Sequence, residues 1–120
     1  MTLKDCYAAL GGDYEDVMGR LRGESLVGKF VLKFPADQSY ALLLASLEAG
    51  NVQDAFRAAH TIKGMCQNLS FTRLADAASA MTEALRAGDL ETGRALLDGV
   101  RREYERTVAA IRDFQAGQPA

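Results

Sequence analysis

The stretch "NVQDAFRAAHTIKGMCQNL", residues 51–69, decides the fold. At about 100° per residue, Val52, Ala55, Phe56, Ala59, Ile62, Cys66 and Leu69 fall on one broad stripe, the pattern of an amphipathic helix with one side packed on a core. Asn51 is an N-cap residue, and Asp54 at the third helical position makes an acidic variant of the capping box. The remaining residues stand apart from the stripe. His60, the only histidine of the chain, stacks with Gln53, Gly64 and Gln67 on the outer side, and Lys63 sits at the stripe's edge. A glycine inside a helix costs about 1 kcal/mol relative to alanine. Gly64 points away from the core, so its use lies outside the fold.

On either side of this stretch the apolar spacing stays at three and four, with two prolines in all and no hairpin turn between alternating apolar runs. Asp13 caps "YEDVMGRLRG", and a second segment, "SLVGKFVLKF", starts near Ser25 and stops before Pro35. Asp37 caps "QSYALLLASLEA", which Gly50 ends. Ser70 is the expected cap of "FTRLADAASAMTEALRA". After "AGD" at 87–89 comes the longest segment, "LETGRALLDGVRREYERTVAAIRDF", read as one helix of roughly 25 residues. Connections of two or three residues favour antiparallel neighbours. The expected fold is all-α: an antiparallel four-helix bundle built from the last four long segments, with short additional N-terminal helices packed as a lid over one end. No linker divides the chain. Residues 1–120 are therefore expected to form a single helical domain, with 1–12 and 115–120 peripheral and the tail "QAGQPA" frayed.

Composition narrows the function classes. A chain of 120 residues, 48% hydrophobic, has material for one core. Its 14 basic and 16 acidic residues leave a formal charge of -2, so no strong field draws it to nucleic acid or an anionic membrane. No run approaches the ~20 apolar residues of a membrane span, and "MTLKDCYAALGG" lacks the apolar length of a signal sequence; the expected location is the cytoplasm. Cys6 and Cys66 do not make a disulfide framework and are expected to be reduced. Cys66 lies about 120° around the helix from His60, so the two do not readily share an ion, and neither a metal nor a cofactor is expected. A nucleophile triad, a phosphate-cradling glycine loop and a metal cluster are all missing from the sequence pattern, which argues against an enzyme that turns over alone.

"AHTIKGMCQNLSF" resembles the signature of the histidine-containing phosphotransfer (HPt) family, whose members carry H-x-x-K-G on a helix of a four-helix bundle and relay phosphoryl groups to and from receiver-domain aspartates. "LGGDYEDV", "LLASLEAGNVQDAFRAAHTIKG" and "LADAASAMTEALRAGD" are similar to typical members in order and spacing, so the resemblance covers nearly the whole chain. It implies that His60 is the phosphoacceptor, that Lys63 neighbours the phosphoryl group, and that Gly64 leaves room for the docking partner. It also implies a response-regulator receiver domain and a histidine kinase as partners, with any magnesium belonging to the receiver. The chain is expected to act as a monomer. Two positions depart from the family pattern: Gln67 stands where a small residue is usual, and Ser70 where a glycine is common.

Imidazole in water is largely neutral near pH 7, which leaves one ring nitrogen free to attack phosphorus without a dedicated base. Phosphoryl transfer needs positioning and charge neutralisation more than covalent machinery, and Lys63, one turn from His60, offers a positive charge. Bland readings stand beside these. Lys63 is either a phosphate contact or a solvated charge whose stem lies along the helix. Gln67 is either a surface amide or an orienter of the imidazole. Met65 and Cys66 read as packing. Gln53 and Arg57 flank the histidine as docking candidates, and Lys29, Lys33, Arg57 and Arg73 are candidates for one basic edge that meets an acidic receiver. A different function class, a helical adaptor that binds receivers or kinases without carrying phosphate, is the alternative.

Overall fold

The computed structural model describes residues 1–119. Among them are eight α-helices and no strand: α1 (Leu3–Leu10), α2 (Tyr14–Leu21), α3 (Glu24–Lys33), α4 (Ser39–Ala49), α5 (Val52–Asn68), α6 (Thr72–Arg86), α7 (Leu90–Ala95) and α8 (Leu97–Ala116), with one 3-10 turn at Phe34–Ala36. Helices α4, α5, α6 and the α7–α8 pair form the antiparallel four-helix bundle. Contacts run from α4 to α5, α5 to α6 and α6 to α8, and α7 meets α4. Gly50 ends α4 at φ 75°, a left-handed conformation that glycine adopts without strain, and lets α5 turn back at once. Asn51 then caps α5 as expected: its side-chain oxygen accepts from the Asp54 N–H at 3.1 Å, and its amide donates to the Asp54 carboxylate at 2.8 Å. One buried cluster runs through the bundle, with Leu43, Leu47, Ala59, Ile62, Cys66, Phe71, Leu74, Met81, Leu85 and Ile111 almost fully out of solvent.

Four expectations change. Residues 1–12 are not peripheral, because α1 carries Leu3, Cys6, Tyr7 and Leu10 at helical spacing and buries all four. It runs antiparallel along the C-terminal half of α8, with the Met1 backbone beside Gly117 and Gly11 beside Arg73, which bonds to Glu103. It thus covers a flank of α8 and is no lid. The longest segment is two helices, interrupted at Leu96 (φ -83°, ψ -7°) although the Leu96 N–H still bonds to Thr92 and Val100 to Leu96. Asp37 accepts from the Ser39 N–H at 2.8 Å but is not the N-cap: α4 begins at Ser39, and its cap position is taken by Gln38, whose side chain makes no capping bond. Ser70 does not cap α6. It sits at φ 56°, and its hydroxyl donates to the Asp16 carboxylate at 2.6 Å and accepts from Arg20. The tail is helical through Ala116 and exposed from there to Pro119, and Ala120 lies outside the described residues.

The end of α5 is held from three sides. Tyr7 donates to the Leu69 carbonyl at 2.7 Å, Arg20 donates to the Gln67 carbonyl at 2.9 Å, and the Ser70 carbonyl accepts from the Asp13 N–H at 2.8 Å. These bonds satisfy the carbonyls left over at a helix C-terminus and anchor α5. No helix among the described residues is long and apolar enough to cross a membrane.

Candidate functional site

Helix α5 packs Ala55, Ala58, Ala59, Ile62 and Cys66 inward, which turns His60 to solvent. The stripe holds, with Ala58 added and with Val52 and Phe56 only half-buried. Lys63, one turn on, is half-buried, and among the described residues no carboxylate lies within ion-pair distance of it. A half-buried stem with an unpaired ammonium leaves a positive charge beside His60 that is available to an incoming anion. Gly64 is exposed, and a Cβ built there meets nothing within 4 Å. Nothing in the packing requires glycine at that position.

The other candidates are only partly brought together. Gln53 and Gln67 are exposed on the same side of α5 as His60. Gln67 lies seven residues and about 10 Å of rise from His60, and among the described residues no hydrogen bond joins their side chains. Arg57 is exposed and paired with Asp54 at 3.5 Å. The single basic edge does not form. Arg73 turns to the opposite flank, donating two bonds to the buried Glu103 at 3.0 Å each. Lys29 lies near Met1 and Phe114, whereas Lys33 borders a different hollow with Phe30, Met65 and Asn68. Met65 and Cys66 do pack, and burial pushes the Cys66 thiol up to about 12.

One neighbour of His60 went unread. The Phe56 ring lies one turn before the imidazole, with ring centroids 5.7 Å apart and planes inclined at 58°. The spacing of four was visible in the sequence, and such pairs meet on a helix surface. Arg86, at the end of α6, sits 5.0 Å from the Phe56 centroid, and only the crossing of α5 and α6 shows that. No group of three or more His, Cys, Asp or Glu side chains that could hold a metal occurs among the described residues.

An exposed imidazole, an unpaired ammonium one turn away and open space at Gly64 suit a small anionic group delivered by a partner. Comparison with known proteins gives the same direction. No curated protein and no solved structure gives a significant match. The family model "Hpt domain" matches residues 35–112, from just before α4 to within α8, and includes His60, Lys63 and Gly64. On that match the chain belongs to the Hpt domain family, the family of histidine phosphotransfer in phosphorelays.

Proposed function

We propose that this protein is a phosphohistidine carrier in a two-component phosphorelay, accepting a phosphoryl group on His60 from a receiver-domain aspartate and returning it to another. The observation that carries this reading is the placement of the only imidazole on the solvent side of α5, beside Lys63 and the unobstructed Gly64. The imidazole lone pair attacks phosphorus, a P–N bond forms, and the P–O bond to the aspartyl carboxylate breaks with the carboxylate as leaving group. The proton on the other ring nitrogen passes to solvent. The reverse step reforms the acyl phosphate, because the phosphoramidate keeps a good leaving group. Lys63 neutralises charge on the phosphoryl oxygens, and Gly64 leaves space for the receiver's loops. The chain supplies the nucleophile and one cation. The kinase or receiver supplies the rest, so the protein is a cytoplasmic carrier working with a receiver domain and a histidine kinase and not an enzyme in its own right.

The test is intact mass after incubation with a phosphorylated receiver. One added phosphate, acid-labile and base-stable, is expected on the parent and none on His60→Gln, which should fold normally because residue 60 is exposed. A base-stable phosphate on His60→Gln would refute the assignment. A parent that binds receivers but gains no phosphate would make it an adaptor.

A further inference from the structure

We infer that Phe56 is a positioning residue for His60, its ring packed in turn by Arg86, so that the imidazole is presented in a tilted and restricted orientation. This rests on the reading of His60 as phosphoacceptor. A side chain on a helix leans toward the preceding turn, which carries His60 back over Phe56. The rings pair at 5.7 Å and 58°, within the range of favourable tilted aromatic contacts. Phe56 is itself fixed. It is half-buried at the edge of a groove lined by Val52, Leu85 and Gly88, and the Arg86 guanidinium stands 5.0 Å from its centroid. Arg86 is in turn held at 3.4 Å by Glu83 one turn earlier on α6. The chain of contacts Glu83, Arg86, Phe56, His60 therefore ties the imidazole of α5 to the last turn of α6.

No hydrogen bond to either ring nitrogen of His60 appears among the described residues, so this aromatic contact is what limits rotation of the ring. An exposed side chain must otherwise be ordered when phosphorus arrives, and prior ordering removes part of that entropic cost. The ring also leaves both nitrogens unencumbered, whereas a hydrogen-bonding orienter would occupy one of them.

Phosphoramidate, a small chemical donor that phosphorylates imidazole directly, separates positioning from docking because no receiver surface is involved. Formation of phosphohistidine on the parent, Phe56→Leu and Phe56→Tyr is followed by phosphorus NMR, and the His60 ring protons by proton NMR. The parent's ring protons should be displaced upfield by the Phe56 ring current. In Phe56→Leu that displacement should vanish and the rate fall about three- to tenfold, the factor of one aromatic pair. Phe56→Tyr, which keeps the ring, should restore both. Phe56→Leu with unchanged ring-proton shifts and rate would overturn the proposal, as would a tyrosine variant that restores neither while melting like the parent. A parent that forms no phosphohistidine at all would instead defeat the reading of His60.

Discussion

At residue 64 two physical preferences conflict, and the conflict is informative. Helix propensity favours every residue but proline over glycine, yet no neighbour lies within 4 Å of the missing Cβ. Gly64→Gln should therefore melt no lower than the parent, and up to about 1 kcal/mol of helix propensity is there to be recovered. Transfer from a receiver should be impaired by on the order of a hundredfold, because the new side chain stands about 40° around the helix from His60, where the partner must approach. Melting temperature and transfer rate measured on the same sample test both halves; a destabilised variant with normal transfer would mean that the glycine serves packing. Lys63 differs, since the role proposed for it rests on its charge and its side chain is only half-buried. Lys63→Ala should leave the melting temperature close to the parent's and slow transfer about tenfold, equivalent to ~1.4 kcal/mol of barrier. Equal rates for the two proteins would place Lys63 among the solvated charges. The exposure of His60 and Gly64 and the edge position of Lys63 were legible from their spacing. Phe56, on the apolar stripe by spacing, is only half-buried and meets the His60 ring.

The turn from α5 to α6 is where local sequence rules failed at the scale of an element. A serine ahead of a helix reads as an N-cap, but a cap residue needs extended backbone and Ser70 is at φ 56°. That left-handed conformation is the one glycine tolerates best. Here the serine hydroxyl instead links Asp16 and Arg20 of α2 to the turn. Ser70→Ala keeps the strained backbone and loses the bonds, and should be destabilised by about 1 kcal/mol. Ser70→Gly loses the same bonds and relieves the backbone, and should recover most of the deficit. Denaturant melts of the three proteins check this ordering; an alanine variant as stable as the parent would show that the bonds contribute nothing. The difference should also depend on pH. The hydrogen bond from Ser70, helped by Arg20, holds the Asp16 carboxyl below its ordinary value. The folded state thus binds the Asp16 proton less readily than the unfolded chain, so the gain is full above the ordinary carboxylate range, near pH 4, and is lost as pH falls below it. The gap between parent and Ser70→Ala should shrink over that acid range.

Across the whole molecule, burial settles the chemistry of the two cysteines. Cys6 on α1 and Cys66 on α5 are both fully buried, and burial pushes their thiols up to about 11 and about 12 respectively. Neither forms thiolate at neutral pH, so iodoacetamide at pH 8 should leave the native protein unmodified over hours and add two groups once denaturant is present. Rapid labelling of the native protein, read by intact mass, would mean that the α1–α8 layer opens readily. The amphipathic faces of α5 and α6, the short turns at Gly50 and before Asp89, and the exposure of His60 beside Lys63 and Gly64 were determined by the sequence alone. Each depends on spacing within one helix or on a residue's own backbone preference, and both are local quantities. Tertiary structure alone decided that α1 belongs to the core, that Ser70 serves α2 instead of α6, that Arg73 is taken by Glu103, and that Arg86 reaches Phe56. Those contacts join residues far apart in the chain, and no periodicity records which faces of which helices will meet.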